Sequence, residues 1–399
     1  MKKNHFAIVG SFFLGEFARS MYFVVITWML YQMTEDALYT GLMVSLGFIP
    51  GVILNLFIGV IVDRINRKVL SILSILINTI TMFALFSIML VDLLEAWMIL
   101  IVHMIIQLMG SVFRPSIQAL TAEVFNKRDL PKIFSQSSAS GITGSLIGAS
   151  IGGIIIGVAT ASVALLIITI SYAASFLLLA KISYKPVARS QVKHSIGHDL
   201  KEGFAYLRMH PFLFRLFGIM FTGQLVFHTS IGFLSVYTIE FLNQTAFVYG
   251  MLDASLSVGG VVAGIFGTWW LKVNQNRLAA NALVIIFIGL LALGLAPIAL
   301  VSFIGVFLVG LGTTWIRVLL QSIQQIATAK AYHGRMASYR MLCNQGSVVI
   351  SGPIVGIIAS NFGAEAVYLS LLLPVIIACG LSLTHTYKLQ FNKTMEISG

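Results

Sequence analysis

The chain has 399 residues, 58% of them hydrophobic and 10% charged, with a mean hydropathy of +0.94 and a formal net charge of +11. Soluble domains carry about 25% charged residues, so this composition excludes a soluble enzyme, a disordered chain and a nucleic-acid-binding domain, and it calls for a bilayer. The basic residues sit between apolar runs, where lipid headgroups and topology account for them better than nucleic acid.

Apolar runs fall at 6–32, 40–62, 69–91, 96–119, 133–158, 161–181, 211–239, 247–271, 278–297, 299–325, 340–360 and 364–385. Crossing the hydrocarbon takes about 20 residues. Lipid offers backbone groups no hydrogen-bond partner, so every span is expected to be helical. Lys2 and Lys3 precede the first run without a small-residue cleavage site, so this span is expected to stay as an anchor. The fold class expected is an all-α membrane protein, with twelve transmembrane helices in two pseudo-symmetric halves. The halves are 1–181 and 211–399, the latter ending in a short cytoplasmic tail, with a cytoplasmic link at 182–210. The stretch Ile196 to Tyr206 of that link is amphipathic and is expected to lie as a short helix on the inner surface. His194 and His198 in the link read as solvated loop residues rather than ligands. Cys343 and Cys379 fall inside apolar runs without metal-site spacing. No metal, cofactor or disulfide is expected.

Charge fixes the orientation. With the N-terminus inside, the inner segments hold 21 of the 25 Lys and Arg, and the outer links hold none. The other four, Arg19, Arg114, Arg215 and Arg317, lie within spans or at their ends. The outer links carry Glu35, Asp36, Asp92, Glu95, Glu240 and Glu365. This partition predicts a multi-pass protein of the cell membrane with both termini cytoplasmic.

The halves echo each other. Arg114-x-x-x-Gln118 in the fourth span returns as Arg317-x-x-x-Gln321 in the tenth, at an offset of 203. Gly148-x-x-x-Gly152 in the fifth returns as Gly352-Pro353-x-x-Gly356 in the eleventh, at an offset of 204. Paired halves with a site near the midplane are a common transporter plan.

The link after the second span reads Gly59-Val-Ile-Val-Asp63-Arg64-Ile-Asn66-Arg67-Lys68. Here the chain resembles the major facilitator superfamily, whose signature at this place is G-x-x-x-D-R-x-x-R-K, usually with Gly where Asn66 stands. The resemblance implies that Gly59, Asp63, Arg64 and Arg67 latch the cytoplasmic side in one state. A simple positive-inside loop is the alternative. The matching loop of the second half, Trp270 to Arg277, lacks the acid. The fifth span carries Gly141, Gly144, Gly148, Gly152, Gly153 and Gly157, and is similar to the family's antiporter signature G-x-x-x-G-P-x-x-G-G. Gly144, Gly148, Gly152 and Gly153 are the residues matched, and Ala149 replaces the expected Pro. Glycine faces let helices approach closely and rock, and ordinary helix packing is the alternative. Within the superfamily, Leu46-Gly47-Phe48-Ile49-Pro50, Phe113-Arg114-Pro115-Ser116 and the run Asp199 to Leu207 resemble the macrolide-efflux and enterobactin-exporter branch.

Ionisable groups inside a membrane cost at least about 2.5–3.5 kcal/mol each at a helix centre, so they are functional candidates. Glu16 and Arg19 are three apart on one helical face and can neutralise each other. Arg19 is a candidate substrate contact and Glu16 a candidate proton site, with a structural ion pair as the alternative. Arg114 lies near an inner end, where snorkelling to headgroups competes with a place in the cavity. Arg317 is flanked by Thr313, Thr314 and Trp315, and His228 stands beside Gln224, Thr229 and Ser230. Arg317, Arg114, His228 and Gln224 complete the expected substrate-binding set. Asp253, two turns from an outer end, is the second candidate proton carrier. His103, inside the fourth span, is equally consistent with a plain interhelical hydrogen bond.

This interior leans basic, and a guanidinium matches a carboxylate bidentately. The expected substrate is therefore anionic. A polycarboxylate siderophore of the staphyloferrin A type fits both the charge balance and the siderophore-exporting members of the branch. No Walker-type phosphate loop appears, so energy is expected from a gradient. The expectation is a proton-coupled secondary exporter, not an enzyme, acting as a monomer on a small molecule by alternating access of two halves around a central cavity. Macrolide or other lipophilic drug efflux, a lipid-linked substrate flippase, a non-transporting sensor and an importer are the rivals.

Overall fold

The computed structural model describes residues 2–55, 65–126, 129–183, 196–274, 277–329, 332–384, 387 and 391. Among them the chain forms helices α1 (Lys2–Thr34), α2 (Ala37–Asn55), α3 (Arg67–Leu90), α4 (Ala96–Val124), α5 (Leu130–Val158) and α6 (Ala161–Ala180). There follow α7 (Ile196–Met209), α8 (Pro211–Gly232), α9 (Leu234–Glu240), α10 (Ala246–Ile265) and α11 (Gly267–Asn274). The chain continues with α12 (Leu278–Leu295), α13 (Ala299–Ala327), α14 (His333–Phe362), α15 (Ala364–Ser370) and α16 (Leu372–Leu383). Twelve of the described segments are long and apolar enough to span a membrane, the last made of α15 and α16 together. The fold class and the number of spans expected from the sequence are met. The amphipathic stretch of the link is helical, as α7.

Local chemistry sets several helix ends. The side chain of Asn66 accepts hydrogen bonds from the amides of Lys68 and Val69 at 2.9 and 3.4 Å. This N-cap satisfies donors that the first turn leaves orphaned, and it gives Asn66 a role where the superfamily's signature has Gly. Thr160 caps α6 in the same way through the amide of Val163. Gly363 separates α14 from α15 at φ +90°, a backbone conformation that costs glycine little.

The chain divides into two compact units. One is Met1–Lys193 with Gln244–Ala254, and the other is His194–Asn243 with Ser255–Gly399. In the first, α1 packs against α5 and α6, and α3 against α4 and α6. In the second, α8 packs against α14 and α16, and α12 against α13 and α16. Counted as spans, these are the same neighbours six spans apart. The internal repeat read from Arg and Gly spacing therefore has a counterpart in the packing of each unit.

In the first unit α1 and α5 meet along a glycine row. A Cβ on Gly144 would meet the carbonyl of Phe13, one on Gly148 the backbone of Phe17, and one on Gly152 that of Met21. Positions advance by four on both helices, so the two run parallel with their i±4 rows in register. Polar side chains within the spans largely bond back to their own helix, as Ser74 does to the carbonyl of Leu70 at 2.8 Å and Thr121 to that of Ile117 at 2.7 Å. That pattern hides hydroxyls in a medium without water.

Candidate functional site

Glu16 is the centre of the first unit's polar cluster. Arg19, one turn on, brings its Nη2 and its Nε each to 2.7 Å from Glu16 Oε2. Arg114, on α4, donates from Nη2 to Glu16 Oε1 at 2.7 Å. Each carboxylate oxygen is thus held by a different guanidinium. Gly141 of α5 lies beside Glu16, where an added Cβ would stand 3.4 Å from Glu16 Cγ. The Arg114 side chain remains 55% exposed and that of Arg19 37%, against 16% for Glu16. Both cations therefore keep donors open while the anion is enclosed.

Buried groups surround this cluster. Tyr172 of α6 lies within electrostatic reach of both Arg19 and Glu16. Asp253 is buried in Gln244–Ala254 and within electrostatic reach of Arg19. Tyr22, one turn beyond Arg19, is hydrogen-bonded through its hydroxyl to Nδ1 of buried His103 at 3.2 Å, and the two rings stack. Gly47 opens space beside that imidazole. In the same unit Tyr249 pairs its hydroxyl with Thr27 and stacks on Trp28. Gly153 turns away from α1 toward Gly250, and an added Cβ there would lie 2.6 Å from the Gly250 Cα.

The second unit brings the other candidates to one ring. The guanidinium of Arg317 sits 5.2 Å from the centroid of Phe227. His228 meets the same ring edge-on at 5.2 Å. Gln224 is buried one turn earlier on α8. A cation over an aromatic face is stabilised by the ring quadrupole, so Phe227 gives Arg317 a resting place that sequence reading did not supply.

Of the expected latch, Arg67 is described, whereas Gly59, Asp63 and Arg64 lie outside the described residues. Arg67 Nη1 pairs with Glu123 Oε1 at 2.6 Å and also reaches the carbonyl of Ala119. Lys68 Nζ donates to the carbonyls of Ala180 and Ile182 at 3.1 and 2.8 Å, and Asn4 exchanges two hydrogen bonds with Ser183. Together these tie the ends of α1, α3, α4 and α6. Among the described residues no cluster of His, Cys, Asp and Glu has the make-up of a metal site.

Sequence reading paired Glu16 with Arg19 but left Arg114 between lipid headgroups and cavity. The structure joins it to Glu16, 98 residues away. It missed Tyr172, Tyr249 and Glu123, for which the sequence carries no local signal beyond polar atoms within or at the end of apolar runs.

Twelve spans, repeated packing and a charged cluster inside one compact unit define a membrane transporter. The Major Facilitator Superfamily model matches residues 8–351, and the chain belongs to that family. It is a multi-pass membrane protein of a family that moves small molecules. The chain is 28% identical over 360 residues to the multi-drug resistance efflux pump PmrA of Streptococcus pneumoniae, covering 86% of this chain and 85% of that one. It is 26% identical over 365 residues to the multidrug resistance protein MdtG of Enterobacter lignolyticus, covering 88% and 83%. Among solved structures, the nucleoside transporter NupG superposes with a TM-score of 0.80 at 13% identity, covering 95% of this chain and 98% of that one. A bacterial homologue of the lysosomal transporter Spinster gives 0.74 at 13% identity, covering 98% and 97%. These two likenesses show the fold.

Proposed function

We propose that this transporter is a secondary active exporter of amphipathic, drug-like small molecules, working by alternating access with protons entering as substrate leaves. The observation that carries this reading is the Glu16 carboxylate held between Arg19 and Arg114, with Asp253 within reach. The efflux named for PmrA and the multidrug resistance named for MdtG support the direction of transport.

Charge counting then sets the sign of coupling. Two arginines and two ionised carboxylates sum to zero; a proton on Asp253 or Glu16 makes the cluster positive. A cationic substrate prefers the ionised cluster, so proton and substrate oppose each other, which is what exchange of one for the other requires. An anionic substrate prefers the protonated cluster and would travel with the proton. This reverses the order reached from composition, in which the basic interior put an anion first.

A carboxylate siderophore is the second reading, favoured by the open donors of Arg19 and Arg114. Such an anion would leave a cell driven by the membrane potential, at about 2.3 kcal/mol per charge per 100 mV. In both readings Arg19, Arg114, Arg317, His228 and Gln224 contact substrate; in the first, Glu16 and Asp253 carry the proton. The Arg67 region latches the inner side. Both termini are cytoplasmic, and the halves 1–181 and 211–399 are the moving parts.

Inverted vesicles test this. A macrolide and a radio-iron-labelled carboxylate siderophore are supplied separately under an acid-lumen pH gradient or a positive-lumen potential. Macrolide uptake driven by the pH gradient is the expected result. Siderophore uptake driven by potential alone would establish the second reading, and no gradient-dependent uptake of either would count against export of both classes.

A further inference from the structure

Three of the five tryptophans converge on the second unit, at the end of the eighth span. Trp270 stacks on Trp315 with ring centroids 3.8 Å apart and planes at 10°. Trp315 is itself pinned, because its Nε1 donates to the carbonyl of Ala263 at 2.9 Å. Trp269 stands beside Trp270 and packs edge-on to Phe266. Val262, Phe266, Trp269 and Trp315 line an apolar groove of about 460 Å³. Its floor is rigid and its walls are open, with Trp269 56% and Phe266 50% exposed.

The surroundings identify what fits. The apolar run of the eighth span closes at 271 and Lys272 is the first charge after it, so α11 carries the span's inner end. Trp269 and Lys272 are three apart on α11 and share a face. Lys272 is exposed, as is Arg277 just beyond. Arg317 follows Trp315 by two residues, roughly 200° around α13, and lies over Phe227 of α8. The groove therefore opens on a different side of α13 from the candidate transport residues. An apolar slot at the end of a span, with an exposed lysine one helical turn beyond its Trp269, matches an acyl chain below and an anionic headgroup above.

We propose that this groove binds one acyl chain of an anionic phospholipid, with its headgroup phosphate held by Lys272. The site is separate from the one through which substrate passes.

Native mass spectrometry of the full-length protein, titrated with phosphatidylglycerol or phosphatidylcholine of matched chains, tests the assignment. The wild type is expected to retain phosphatidylglycerol at least fivefold better. Lys272→Gln, an exposed change that leaves the fold alone, is expected to bring the two lipids level. Trp269→Ala is expected to lower retention of both. Equal retention of the two lipids by the wild type would overturn the proposal, as would a fivefold preference surviving in Lys272→Gln or unchanged binding by Trp269→Ala.

Discussion

Glu16 illustrates how a membrane interior tolerates charge. Its carboxylate is enclosed and saturated by two guanidiniums, whose outer atoms remain open. Removing the acid leaves two cations facing each other; removing one arginine leaves an ion pair intact. Glu16→Ala is therefore expected to cost about 1–3 kcal/mol, between the values for exposed pairs and for broken buried pairs, because both arginines are partly open. Arg114→Ala should cost less, and the double variant should melt above Glu16→Ala alone. Thermal unfolding in detergent checks this; a double variant no more stable than Glu16→Ala would refute the shared-carboxylate account. The Glu16–Arg19 half of the cluster was legible because i,i+3 spacing is local. Arg114 was not, since its partner is chosen by how α4 meets α1.

At the scale of elements, the α1–α5 seam makes a sharp demand. Gly148 admits the backbone of Phe17, whereas Gly110 has open space where a Cβ would go. Gly148→Ala is expected to lower the folded yield. Gly110→Ala is expected to be neutral or stabilising, by up to about 1 kcal/mol from helix propensity. Size-exclusion profiles of fluorescent fusions report both, and equal yields would count against the packing argument. A four-residue glycine period announced close packing, but not which neighbour each glycine meets. Gly144, Gly148 and Gly152 serve α1, and Gly153 serves Gly250. Gly153→Val, placed against backbone, is accordingly expected to abolish transport in the vesicle assay while Gly157→Val, whose Cβ has ordinary clearance of 3.5 Å, retains it.

For the whole molecule, the twelve spans were legible because length and charge partition constrain each other: adding or losing one helix would scramble the basic inner links. Span ends were less so. The seventh divides at Phe233 into α8 and α9, and the eighth at Phe266 into α10 and α11, where hydropathy alone reads continuous runs. The proposed topology predicts that, after replacing Cys343 and Cys379, a cysteine at Asp92 reacts with an impermeant reagent from outside and one at Lys201 only after permeabilisation. The opposite labelling would invert the orientation.

The central claim is that the Glu16 cluster is where proton and substrate exchange. The measurement that tests it most directly compares macrolide movement by wild type and Glu16→Gln in proteoliposomes, both as pH-driven accumulation and as gradient-free exchange. The account predicts accumulation by the wild type and its loss in Glu16→Gln, whose cluster is left positive and therefore also exchanges the cationic substrate more weakly. Undiminished pH-driven accumulation by Glu16→Gln would contradict it.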